Sequence, residues 1–173
     1  AAQASEALSV DAKGAVLIDG ASGRILFAQN ANEMLPEASC TKIMTALLAL
    51  ENSSLDEDVT AGKNAHGVEG TSIYLSEGET LNMEQMLYGL MLRSGNDAAV
   101  AIAEHIGGTT ENFVALMNEA AYSLGCKNTH FVTSNGLHKS DHYTCAHDMA
   151  LIAKEVFKYP DLVNYMSQMN YHF

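Results

Sequence analysis

Positive charge is scarce in these 173 residues: nine Lys and Arg stand against 21 Asp and Glu, for a formal net charge of −12. No basic stripe is left to neutralise phosphates, which excludes nucleic acid and an anionic membrane face as partners. Small molecules, peptides and proteins remain. Long apolar runs are missing as well, and none would cross a bilayer. Cysteine is sparse and odd in number: Cys40, Cys126 and Cys145 are scattered, form no disulfide framework and allow at most one bridge. Repeats and low-complexity tracts are absent. The opening "AAQASEALSV" lacks the charged start and apolar stretch of a signal peptide, although it fits what is left after one is removed. What is present is a chain 47% hydrophobic and 17% charged, enough to bury one core without a second domain.

The pattern of elements starts with strands. In "AKGAVLIDGASGRILFAQN" two short apolar runs, 15–18 and 25–28, flank a Gly, Ser and Asp cluster, which predicts a hairpin. Pro36 and small residues then lead into a helix from near Ser39 to about Leu50. It has hardly any polar face, so it is expected at the centre of the fold. Residues 51–79 are polar and Gly-rich and read as loop, with short strands at most. Asn82 and Gln85 make a capping box for a helix running to Arg93. "SGN" interrupts before a second helix closes at Gly107 and Gly108. Thr109 or Thr110 caps the next, with Gly125 just past its end. "CKNTHFVTSNGLHKSDHY" reads as a long loop with turn chemistry at Asn135 and Gly136. Thr144 is the expected cap of a helix that Pro160 ends, and Asp161 starts a last short helix through Met169. Two strands followed only by helices leave a problem, because a lone hairpin is marginal in water. The sheet reads as unfinished.

Two short motifs carry chemistry. Ser39 and Lys42 sit one turn apart, on one face of the helix start. There the helix dipole favours a developing serine oxyanion and a neutral, basic lysine. That is what an activated serine needs. The competing reading makes Ser39 an ordinary N-cap and Lys42 a snorkelling surface residue. The apolar surroundings speak against it, since a lysine in a buried helix needs a polar partner. Ser94 and Asn96 of "SGN" can direct a relay hydroxyl and a substrate-binding amide into one cleft, or serve as a plain helix-helix turn. Cys126, His130, Cys145 and His147, or His138, His142 and His147, can be drawn as zinc sets. Neither has the paired spacing of a compact site, so no metal and no cofactor is expected. Cys40 is read as a small buried residue on another face of the helix, not a reactive thiol.

Taken together, "EASCTKIMTALLAL", "GTSIYLSEGETLNMEQMLYGLMLRSGNDAAVAIAEHIGG", "LMNEAAYSLGCKNTHFVTSNGL" and "HYTCAHDMALIAKEV" resemble the D-alanyl-D-alanine carboxypeptidases among the low-molecular-mass penicillin-binding proteins. The resemblance runs from about Ala15 to Tyr171. It implies an α/β (α+β), β-lactamase/transpeptidase-like fold: an antiparallel sheet flanked by helices with a helical subdomain. By that resemblance Ser39 is the nucleophile that attacks the carbonyl between the two terminal D-alanines of a peptidoglycan stem peptide. Lys42 is its general base, Ser94 helps return a proton to the leaving D-alanine, and Asn96 holds the substrate amide. Water hydrolyses the acyl-enzyme, and β-lactams acylate Ser39 but leave slowly. The resemblance also implies an extracytoplasmic place in the bacterial cell envelope.

The family's third motif, Lys-Thr-Gly, does not occur in this sequence. In the family it lies on a sheet strand that supplies a cation for the substrate carboxylate and one oxyanion-hole N–H. Losing one such donor lowers the rate by about a hundredfold to a thousandfold. The expectation is therefore one C-terminally incomplete transpeptidase-like domain over 1–173, with a hairpin at about 14–30 and a mostly helical region at about 39–170. It is either a segment or fragment of a longer protein, or a chain whose sheet a partner completes by exchange. Residues 171–173 read as the start of a further strand, which favours the first two. Two other functions stay open: a non-catalytic binding or assembly module on the same scaffold, and, more weakly, a β-lactamase. No carboxylate is placed by motif to activate a deacylating water for the latter.

Overall fold

The computed structural model describes residues 8–169 and Tyr171. Strands β1 (Ala15–Ile18) and β2 (Ile25–Gln29) pair antiparallel, with Leu17 opposite Phe27. Asp19 tightens the turn between them by accepting the Ser22 backbone N–H and hydroxyl. Helix α1 (Thr41–Asn52) follows a single 3-10 turn, Ala38–Cys40. The stretch read as loop contains a second antiparallel pair, β3 (Asp58–Thr60) and β4 (Thr80–Asn82). Four helices complete the region up to the long loop and beyond it: α2 (Met83–Leu92), α3 (Asn96–Gly107), α4 (Thr110–Ser123) and α5 (Ala146–Val156). A short α6 (Pro160–Ser167) comes last among the described residues.

α1 is the hub. It packs on α2, α3, α4 and α5. Met44, Ala46, Leu47, Leu48 and Ala49 are buried, as an almost wholly apolar helix requires. The core extends through Met83, Met86, Leu87 and Leu90 of α2, the alanine-rich face of α3, and Phe113 and Met117 of α4. Strand β1 of the first hairpin packs on α5. In this hairpin Leu17, Ile25 and Leu26 are about half exposed, at 55%, 49% and 51%. Each of the two sheets has two strands among the described residues.

Local chemistry accounts for most boundaries. Asn82 and Gln85 form the full capping box, each side chain meeting the other's backbone N–H. Thr109 caps α4 by accepting from Asn112 N. The predicted cap of α5 is off by one residue: Cys145, not Thr144, is the N-cap, its sulfur accepting the Asp148 N–H. Thr144 is held elsewhere, its backbone bridging Leu35 and its hydroxyl meeting Thr129. Pro160 does not end α5, which stops at Val156; it occupies the first turn of α6, where its missing N–H costs nothing. The strand start read at 171–173 falls outside the described residues except for Tyr171, which stacks on Tyr88 with ring centroids 3.7 Å apart. The opening residues 1–7 also lie outside them.

Candidate active site

Ser39 sits not on α1 but in the 3-10 turn that feeds it, and it is exposed. Ala38 before it adopts a left-handed conformation, φ 48°, which turns the chain sharply. Lys42, one turn on, is 2% exposed and donates to Ser39 Oγ at 3.2 Å and to the Asn135 carbonyl at 2.7 Å. Burial lowers its pKa from 10.5 to about 8. A lysine so placed is neutral in a useful fraction of molecules near neutral pH, and it already touches the hydroxyl it would deprotonate. The snorkelling alternative for Lys42 is thereby excluded, and Ser39 makes no N-cap hydrogen bond.

The loop between α4 and α5 docks the polar side of α1. Thr45 donates to the Ser134 carbonyl, Lys42 to that of Asn135, and Thr41 Oγ1 lies 2.8 Å from His142 Nε2. Gly136 is pressed against the turn that carries Ser39: a Cβ there would lie 1.9 Å from the Ala38 carbonyl oxygen, and its φ is +83°. Gly136→Ala is expected to destabilise the protein by on the order of 3 kcal/mol, because neither the backbone conformation nor the space accepts a side chain. Urea unfolding measures it; an unchanged midpoint would contradict the packing described.

Ser94 and Asn96 stand at the junction of α2 and α3. Ser94 is left-handed, φ 57°, and partly buried. Residues 69–75 strap this junction. Asn96 Nδ2 donates to the Glu69 carbonyl at 2.6 Å, Thr71 Oγ1 to the Ser94 carbonyl, and Gly70 has no room for a Cβ against Asn96 Nδ2, 2.7 Å away. The buried Asp97 carboxylate accepts from Ser72 Oγ and from the Ile73 and Leu75 backbone N–H groups. Burial alone pushes that carboxyl up, and the hydrogen bonds from Ser72, Leu75, Ile73 and Ala98 outweigh it, leaving it below its ordinary value. Asp97→Ala strands those donors and should cost about 3 kcal/mol, with amide exchange at Ile73 and Leu75 accelerating first. If exchange there stays at the wild-type rate, the strap is held by something else.

The two pairs are thus built differently. Ser39 and Lys42 are hydrogen-bonded to each other. Ser94 and Asn96 are tied to the strap, and among the described residues no hydrogen bond joins one pair to the other. Asn96 Oδ1 is buried without a partner. Turning the amide over would set its oxygen against the Glu69 carbonyl, so the oxygen is the end left over. The sequence also failed to reveal Glu37, His142, Asp97 and the Asn135 carbonyl; only "NG" at 135–136 hinted at a special turn. Cys40 departs from expectation: it is exposed, not buried, because the 3-10 turn holds it off the core face of α1. Cys126, His130, Cys145 and His147 do not assemble, and among the described residues no three His, Cys, Asp or Glu side chains are arranged to hold a metal ion.

Solved structures carry the same architecture. Penicillin-binding protein 5 of Haemophilus influenzae superposes with a TM-score of 0.90 at 32% identity, covering 98% of this chain and 52% of that one. The D-alanyl-D-alanine carboxypeptidase DacD of Francisella tularensis gives 0.88 at 36% identity, over 92% of this chain and 40% of its own. The fold is therefore that of the penicillin-binding proteins, the transpeptidase-like class. Among curated proteins, DacF of Bacillus subtilis is 42% identical over 163 residues, 91% of this chain and 42% of its own length. The D-alanyl-D-alanine carboxypeptidase family matches over residues 1–173, and this chain belongs to it. The chain spans about two fifths of the length of the curated relatives it matches, 42%, 41% and 40% for the first three.

Proposed function

We propose that the protein carrying this chain is a serine-type D-Ala-D-Ala carboxypeptidase that removes the terminal D-alanine from peptidoglycan stem pentapeptides. The observation that supports it most is the buried Lys42 ammonium 3.2 Å from Ser39 Oγ. Neutral Lys42 accepts the hydroxyl proton as Ser39 attacks the carbonyl between the D-alanines. The tetrahedral intermediate collapses, and D-alanine leaves with a proton returned through Ser94. Water then attacks the ester on Ser39 and frees the shortened peptide. Asn96 offers its unpartnered Oδ1 to a substrate N–H, since its Nδ2 is already committed to Glu69. A β-lactam presents a similar amide and acylates the same serine. The site of action is the bacterial cell envelope, outside the cytoplasm.

The same reading takes residues 1–173 as part of one transpeptidase-like domain, in which further strands extend the sheet of β1 and β2. The half-exposed Leu17, Ile25 and Leu26 suit that role. Residues 1–173 alone, without a Lys-Thr-Gly strand, should acylate at least about a hundredfold more slowly than the natural protein. The deciding experiment offers penicillin to the natural protein and maps any covalent mass; it belongs on the peptide containing Ser39. Absence of that adduct, with no D-alanine released from a pentapeptide, would leave the binding-module reading in its place.

A further inference from the structure

The most unusual group near Ser39 takes no part in the chemistry above. Glu37, two residues before the nucleophile, is 7% exposed, and neither of its carboxyl oxygens has a hydrogen-bond partner. Its neighbour is His142, whose Nε2 lies 3.3 Å from Glu37 Oε1. His142 is itself fully engaged. Its Nδ1 accepts the Val132 backbone N–H at 2.9 Å, which requires a bare nitrogen there, so its proton sits on Nε2 facing Thr41 Oγ1. An imidazolium would turn an N–H against that backbone donor. Burial lowers the His142 pKa in the same sense. With histidine neutral, an ionised Glu37 would be a buried anion with at most a share of one N–H, and burial raises its pKa to about 8. The other titratable groups around His142 are His130, Asp141 and His138 on the long loop. Lys42, on α1, turns its ammonium to Ser39 and Asn135.

We propose that Glu37 is a positioning residue for Ser39: kept as a neutral acid against His142, it holds the turn that carries the nucleophile, and losing its proton releases that turn. The link is short and covalent. The Glu37 carbonyl accepts the Cys40 N–H, closing the 3-10 turn around Ser39, and the left-handed Ala38 between them leaves little slack. A carboxylate that must reach water has to swing out of its niche, and the Ala38–Ser39 peptide moves with it. Deprotonation of Lys42 speeds acylation as the pH rises, while deprotonation of Glu37 disorders the nucleophile over the same range.

This rests on Ser39 being the acylated residue, and the test separates the two ideas. Acylation by a fluorescent penicillin is measured from pH 6 to 10 on the natural protein and on Glu37→Gln and Glu37→Ala. The wild type should rise and then fall around pH 8. Glu37→Gln keeps the neutral shape without a proton to lose, so it should match the wild type at pH 7 and hold a plateau to pH 10. Glu37→Ala should be slower at every pH by about tenfold, the factor that 1.36 kcal/mol of barrier represents. Superimposable profiles for wild type and Glu37→Gln overturn the proposal, as does an unimpaired Glu37→Ala. If no serine is labelled in any variant, the enzymatic reading is what has failed, and thermal unfolding decides the rest. A carboxyl whose folded pKa is raised contributes stability below its unfolded pKa that is lost as pH rises through the folded value. Glu37→Gln should then gain in Tm over the wild type between pH 5 and 9, and a constant difference would overturn the proposal.

Discussion

Ser39→Ala abolishes the covalent penicillin adduct while leaving the fold intact. The substitution removes the hydroxyl that the proposed reaction acylates, so the residual labelling should be indistinguishable from background, a loss of more than about ten-thousandfold. The structural cost is small. Ser39 is exposed, and its hydroxyl accepts one hydrogen bond, from Lys42 Nζ. Lys42 keeps its shorter bond to the Asn135 carbonyl at 2.7 Å. Thermal unfolding should therefore shift by no more than a degree or two, consistent with a surface change of about half a kcal/mol. Intact-mass spectrometry after incubation with penicillin reads the result directly. A persisting adduct would mean that another residue is the nucleophile.

Lys42→Met separates activity from stability. Acylation should fall by about a thousandfold, the scale of a lost general base. Stability should move the other way. Carrying a proton on an amine whose pKa is depressed from 10.5 to about 8 costs about 3 kcal/mol at neutral pH, at 1.36 kcal/mol per pK unit. Leaving the Asn135 carbonyl unpaired returns about 1–2 kcal/mol of that. A net gain of about 1–2 kcal/mol at pH 7 is the expected balance, a trade of stability against function. Its pH dependence follows from linkage. The depressed pKa means the folded protein releases its proton first, so the penalty is full below about pH 8 and shrinks as the pH climbs towards 10.5. The advantage of Lys42→Met should disappear over that range. A variant that is less stable than wild type at pH 7 would show that the two hydrogen bonds outweigh the desolvation.

The contact between Ser39 and Lys42 was legible in sequence because a three-residue step through a helical turn brings the two side chains together without help from the rest of the chain. The same holds for the capping box at Asn82 and Gln85 and for the central, largely apolar α1. What sequence could not convey depends on distant partners. Lys42 meets Asn135 across 93 residues, and Thr41 meets His142 across 101. No periodicity encodes such pairings, so the surroundings of Glu37 and His142 do not show in the sequence. Local rules also misled where two candidates adjoined. Thr144 is the better cap by preference, yet tertiary bridges to Leu35 and Thr129 claimed it and left the role to Cys145. The placement of Ser39 in a 3-10 turn turns on the left-handed Ala38, a conformation that alanine does not advertise.

The exposure of Cys40 gives the molecule a built-in reporter. Of its three thiols this one faces solvent. Cys126 is partly buried, with its pKa pushed up by burial to about 12, and Cys145 is buried, with its pKa raised for the same reason. Thiolate is the reactive form, so a maleimide dye at neutral pH would couple at one position without any engineering. That position is the peptide neighbour of Ser39. On the proposed reading of Ser39, a fluorophore there would sense each acylation of its neighbour, and occupancy of the site could be followed by colour instead of by product.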